Sequence, residues 1–152
     1  MPKSSAALLL FRRRDGLEVL IAHMGGPFWA RKDAGAWSIP KGEYTDEDPL
    51  DAARREFAEE MGSRPPDGEV IPLGVVRQSG GKVVTTFAVE GDFDLAGFRS
   101  NTFEMEWPRG SGTMREFPEV DRAEWVSVEV AREKLVKGQL PVLDALQAHL
   151  AG

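Results

Sequence analysis

The apolar positions of this chain change period along its length, and the changes outline a mixed α/β order. Ser5–Arg13 contains an unbroken apolar run, Ala6–Phe11, and Leu17–Met24 follows it across Asp15-Gly16, so the two segments read as strands of a hairpin. Gly25-Gly26-Pro27 then breaks the pattern, and Phe28–Asp33 reads as either a loop or one helical turn. Ala36–Ile39 is a short apolar strand stopped by Pro40, and Lys41–Asp48 is polar and reads as a loop. From Pro49, a residue the first helical turn accepts, the period becomes helical and holds to Gly62, which suits the position just past a helix end. Val70–Gln78 and Lys82–Val89 read as a second hairpin around Ser79-Gly80-Gly81, after the Pro- and Gly-bearing loop Arg64–Glu69. Asp92–Ser100 is irregular. Phe103, Met105 and Trp107 alternate with Glu104 and Glu106, which predicts a half-buried strand over Thr102–Trp107. Arg109–Met114 is a Gly/Ser-rich loop expected to be mobile, Ala123–Val126 a last short strand, and Val128–Val136 and Pro141–Leu150 two terminal helices. With strands before and after it, the Pro49–Gly62 helix should pack on a mixed sheet.

That helix has two faces. Leu50, Ala53, Phe57 and Met61 form an apolar seam, while Glu56, Glu59 and Glu60 share another face through their i, i+3 and i+4 spacing. A solvated acidic face is common, and like-charge pairs cost only about a few tenths of a kcal/mol each, so the three glutamates alone do not demand a ligand. A hard divalent cation is nevertheless the natural group to sit among them, and Mg²⁺ in particular binds through few carboxylates together with waters and substrate phosphates.

Composition narrows the choices. The chain has 152 residues, 41% hydrophobic and 29% charged, a length and balance that suit one soluble domain over residues 1–152. Its formal net charge of −6 disfavours a nucleic-acid polymer as partner, because that affinity comes from Lys and Arg neutralising phosphates. The absence of cysteine removes disulfides, thiolate metal sites and cysteine nucleophiles, and fits a cytoplasmic location. Ala6–Phe11 is too short to span a bilayer, so no membrane partner is expected.

Gly42, four intervening residues, Glu47, seven more, and then Arg55-Glu56-Phe57-Ala58-Glu59-Glu60-Met61-Gly62 resemble the Nudix box of the MutT-like pyrophosphohydrolases, G-x5-E-x7-R-E-U-x-E-E-x-G-U with U a bulky aliphatic. The box spans residues 42–63. Its Gly-to-Glu loop is one residue shorter than the pattern, and Ser63 stands where the last aliphatic belongs; every acidic position is kept. The resemblance implies a Nudix-type α/β/α sandwich with a mixed β-sheet. It also implies a metal-dependent enzyme that cuts a phosphoanhydride in a nucleoside diphosphate linked to another moiety, of the nucleoside triphosphate or dinucleoside polyphosphate type. A non-catalytic nucleotide sensor and an RNA 5′-end pyrophosphohydrolase are the alternatives.

Roles carry over by position. Glu56, Glu59 and Glu60 match the metal-binding glutamates, and Gly42 belongs to the same metal set, for Mg²⁺ or Mn²⁺. Arg55 matches the box arginine and is placed to pair with Glu47 or Glu59. Pro118-Glu119-Val120-Asp121, ahead of Trp125-Val126, resembles the P-E-F-D segment of bacterial RNA pyrophosphohydrolases, which nominates Glu119 as a further catalytic and metal-binding acid, with Glu116 second, on a flexible Arg115–Asp121 loop. Lys41, in Trp37-Ser38-Ile39-Pro40-Lys41-Gly42, is a candidate phosphate contact; Arg31 and Lys32 are further substrate-binding candidates, and Arg109 and Arg115 follow them. Phe28 and Trp29 could stack on a base, whereas Trp37 and Trp107 have core-like placement. The partner expected is a small nucleotide. The tyrosine that marks one Nudix subfamily is missing downstream of the box, and the proline that marks another is not found at its usual spacing, so the subfamily stays open.

Overall fold

The computed structural model describes residues 4–78 and 81–152; Ser79 and Gly80 of the expected second turn lie outside the described residues. Its elements run β1 (Ser4–Arg13), β2 (Leu17–Met24), β3 (Trp37–Ser38), β4 (Lys41–Glu43), α1 (Pro49–Met61), β5 (Val70–Arg77), β6 (Val83–Glu90), β7 (Thr102–Glu106), β8 (Met114–Pro118), β9 (Val120–Ser127), α2 (Val128–Lys134) and α3 (Leu140–Ala151).

A mixed sheet forms the middle layer. β1 pairs in parallel with β6, which continues to β5 as an antiparallel hairpin. On its other edge β1 is shared: Phe11–Arg13 pair with β2, whereas Ser5–Ala7 pair with β4. β2 in turn pairs with β3 and with β9, both antiparallel. The turn between β1 and β2 falls at Asp15-Gly16, both with positive φ, as that dipeptide suggests.

The continuous apolar run of β1 has a simple cause: both faces are covered. Ala6, Leu8 and Leu10 pack toward α1, against Ala52, Ala53, Phe57 and Met61. Ala7, Leu9 and Phe11 pack toward the terminal helices, against Ala131, Leu143 and Leu146. The result is helix, sheet, helices, the α/β/α sandwich expected.

Two local expectations are corrected. Lys41–Asp48 is not loop throughout, because Lys41–Glu43 form β4 against β1. Arg115–Asp121 is not a flexible loop: Met114–Pro118 pair with β7 as a two-stranded ribbon, and the last strand starts at Val120 rather than Ala123. In both places strand pairing is supplied by a partner distant in sequence. Neither segment has an apolar period of its own, and β8 is exposed along most of its length.

Phe57 is fully buried and meets Phe93 edge-to-face, with ring centroids 5.3 Å apart. Phe57→Ala should therefore destabilise the protein by about 3–5 kcal/mol, read from urea unfolding followed by far-UV circular dichroism.

Candidate active site

α1 starts and stops where its sequence says. The Asp48 side chain caps it, accepting from the backbone N–H groups of Leu50 and Asp51. Gly62 ends it with φ 89°. A side chain at Gly62 would also press on the Arg99 backbone, to 2.6 Å from its carbonyl oxygen, so the chain can fold back here only over glycine. That return path matters: Arg99 and Asn101 donate backbone hydrogen bonds to Met61 and Glu59, and Asn101 accepts one from the Glu119 N–H at 2.9 Å. The last turn of α1 and the distal acid are thus tied through one short segment.

The acids gather in an open cleft of about 480 Å³, lined by Glu56, Glu59, Glu60 and Glu119 together with Lys41, Gly42, Glu43 and Asn101. Lys41, Glu60 and Glu119 also border a neighbouring cavity of about 270 Å³, whose remaining wall is apolar at Ala22, Met24, Val120 and Val136 and polar at Ser38 and Gln78. A larger cavity of about 520 Å³ lies elsewhere, at Arg12, Asp92 and Trp125. It has no acid cluster, and the Arg12 guanidinium in it already bonds Glu18 and Asp92. The chemistry belongs to the first two.

Arg55 organises the acidic side. Its guanidinium donates to Glu47 at 2.6 Å, to Glu56 at 2.9 Å and to Glu59 at 3.3 Å. Those carboxylates hold the Arg55 proton more firmly than usual, and Arg55 in turn draws the Glu47 carboxyl below its ordinary range. Gly42 leaves room for the Glu56 carboxylate: a side chain there would push that carboxylate out of its present place. Burial raises the Glu56 carboxyl, helped by the charge of Glu59. Glu60 is pushed up to about 8, first by burial and further by Glu56 and Glu119, with Lys41 opposing. Burial also lowers the Lys41 ammonium.

Among the described residues, no three of these carboxylates close on one point as a finished metal cage. The donor set still fits a hard divalent ion. The acidic side chains offer only oxygen, they line an open cleft, and they include the half-buried Glu60, whose carboxyl burial raises.

The other sequence-nominated residues fall elsewhere. Arg31 is exposed on the turn after β2, and the Lys32 ammonium lies 5.3 Å from the centroid of the Trp29 ring; neither lines the two cavities. Arg109 sits over Phe28, and Arg115 and Glu116 are exposed on β8. Trp37 is fully buried and Trp107 half-buried. Asn101, Ser38 and Gln78 were not legible as site residues, because each reaches the cleft through long-range folding and carries no local motif.

The metal-free site should show in the pH dependence of stability. Glu60 titrates near 8 in the fold against an ordinary 4.5, so between those values the native state binds more protons than the unfolded chain. Metal-free protein is expected to lose stability as pH rises from about 4.5 to 8, and Glu60→Gln to flatten that slope, in urea titrations across this range.

Comparisons with known proteins bear on the family and the fold. A family model for the NUDIX domain matches residues 1–146. The NUDIX domain of Shewanella oneidensis NrtR, in complex with ADP ribose, is similar with a TM-score of 0.68 at 18% identity, over 99% of this chain and 89% of that one. A Caenorhabditis elegans Ap4A hydrolase in a binary complex gives 0.66 at 19% identity, over 97% and 98%. The MutT protein of Methanosarcina mazei Go1 gives 0.65 at 20% identity, over 99% and 97%. No curated protein matches the chain. At these identities the solved structures speak for the fold, and the family model speaks for membership. The chain belongs to the NUDIX family and is a Nudix hydrolase, acting on phosphoanhydride bonds.

Proposed function

We propose that this hydrolase is divalent-metal-dependent and cleaves a nucleoside diphosphate linked to another moiety, of the nucleoside triphosphate or dinucleoside polyphosphate type, with residues 1–152 working as one cytoplasmic Nudix domain. The observation that carries this reading is the convergence of Glu56, Glu59, Glu60 and Glu119 on one cleft that continues into a partly apolar cavity. The acid cleft suits the diphosphate, and the cavity suits an uncharged nucleoside end.

In this reading Glu56, Glu59, Glu60, Gly42 and Glu119 hold Mg²⁺ or Mn²⁺. The ion, when bound, neutralises phosphate charge and makes water a better nucleophile. Arg55 orients Glu56 and Glu59 and keeps the Glu47 loop against the helix. Lys41, between the two cavities, meets a phosphate oxygen. One of the carboxylates takes the proton that water gives up as it attacks phosphorus, which requires it to lie within hydrogen-bond reach of that water. Arg31 and Lys32 contribute only through the field of the exposed turn.

Because a ligand that binds the native state stabilises it, Mg²⁺ or Mn²⁺ should raise the melting temperature of the native chain. The double variant Glu59→Gln/Glu60→Gln should fold and lose that shift; an undiminished shift would remove the metal assignment. On turnover, Glu56→Gln and Glu60→Gln should each lower kcat by about a hundredfold or more, the scale of a positioned acid–base or charge-stabilising group. The reading as a whole is tested by a release assay over nucleoside triphosphates, dinucleoside polyphosphates and nucleoside diphosphate sugars with Mg²⁺ or Mn²⁺, in which both products are identified. Absence of metal-dependent cleavage in every class would overturn it.

A further inference from the structure

Glu119 lies exposed at the junction of β8 and β9, outside either strand, yet it lines both cavities. What fixes it there starts two residues later. β2 and β9 pair without interruption from Glu18–Ser127 to His23–Arg122, and then Met24 pairs with Val120. Asp121 is an extra residue on β9, a β-bulge at the end of the ladder. Bulges bend a strand and re-aim side chains, and they are enriched beside active sites.

Strand alternation shows what this one changes. Ala123 and Trp125 pack on the α1 side of the sheet, and unbroken alternation would put Asp121 on that side too. The bulge gives that side to Val120, which is buried in the α1 core opposite Met24, and turns Asp121 to the other face. There it meets His23, which is fully buried: Nδ1 lies 2.8 Å from the Asp121 carboxylate, and Nε2 lies 2.7 Å from the Lys32 carbonyl. Both ring nitrogens are thereby engaged, one with β9 and one with the turn after β2. A hydrogen bond to a fully buried ring is a strong anchor, since removing its partner leaves a ring nitrogen buried and unsatisfied.

The backbone beyond the bulge is fixed as well. The Glu119 carbonyl accepts from Gly25, its N–H donates to Asn101, and the Val120 N–H donates to the Ser100 hydroxyl at 3.0 Å. Gly25 is the residue after β2, and a side chain on it would collide with the Pro118 carbonyl. Glu119 is therefore held between β2 and the Ser100–Asn101 segment, and the register of that hold is set by the bulge.

We propose that His23 and Asp121 are positioning residues for the hydrolysis: their hydrogen bond pins the β9 bulge and so places Glu119 beside the acid cleft. This rests on the role given to Glu119 above.

A double-mutant cycle separates the two claims, using ATP or diadenosine tetraphosphate with Mn²⁺, whichever the chain turns over. Asp121→Ala should lower kcat by about tenfold to a hundredfold, the range expected when a reacting group is misplaced by about an ångström, with KM changed less than twofold to threefold. Asp121→Asn, which still offers an oxygen to Nδ1, should recover most of the loss. In a Glu119→Gln background Asp121→Ala should cost nothing more, because the group it positions is already gone. If Glu119→Gln is impaired and Asp121→Ala adds its full effect on top, the positioning role is overturned while the Glu119 assignment stands. If Glu119→Gln turns over like the native chain, the Glu119 assignment itself falls, and the positioning role with it. Melting curves confirm folding; should Asp121→Ala prove unfolded, Asp121→Ser, whose hydroxyl is too short to reach the ring, takes its place with the same expected outcomes.

Discussion

β1 is dry on both faces, and a strand of that kind must be covered twice. Ala6, Leu8 and Leu10 require α1, while Ala7, Leu9 and Phe11 require the terminal helices. The same strand divides one edge between β2 and β4, so the chain leaving β3 is drawn back beside β1 and turns directly into the loop before α1. Every acid on α1 is then set by two contacts. The helix lies where Phe57 and Met61 are buried, and β4 runs beneath it where Gly42 leaves room for Glu56. Hydrophobic burial on one side of the helix thus fixes the spacing of charges on the other.

Those charges are not balanced by the protein alone. Arg55 is shared among Glu47, Glu56 and Glu59, and it makes no bond to Glu60. Glu60 sits deeper, with burial pushing its carboxyl up and the Lys41 ammonium down, so each side of that contact is poor in its charged form. A site of this kind gives up some stability of the empty fold in exchange for affinity toward cations and polyanions, the trade expected where selection acts on function above a stability threshold. An open cleft of this kind, rather than a closed cage, suits an ion whose ligand set is completed by phosphate oxygens and waters.

The box was legible because its information is local. A helical period, a proline at its start, a glycine at its end and three acids at i, i+3 and i+4 all lie within one element, and tertiary packing did not override them. The order of elements along the chain was readable for the same reason, whereas the strand order in the sheet and the burial of β1 on both faces were not. What escaped was everything written across the fold. β4 and β8 exist because distant strands pair with them. Asn101 reaches the cleft through backbone bonds to Glu59 and Glu119. His23 reads in sequence as one polar residue in an apolar strand, and its partner Asp121 lies 98 positions away. The Pro118–Asp121 match pointed at Glu119, but it gave no hint that the segment is held by a bulge rather than carried on a loop.

The β7–β8 ribbon is tied down at its base and closed on itself at its tip. At the base Asn101 and Glu119 are bonded to each other, and Phe103 packs against Gly26 at 3.0 Å from where a side chain would begin. At the tip Glu106 accepts from Gly110 and Gly112, and Trp107 donates to Thr113. The tip is also held from outside, since the Trp107 and Phe28 rings lie 6.0 Å apart and the Arg109 guanidinium lies over Phe28. A change of length or character in residues 108–113 would therefore reach Glu119 only through the β7–β8 pairing or through the turn that carries Phe28.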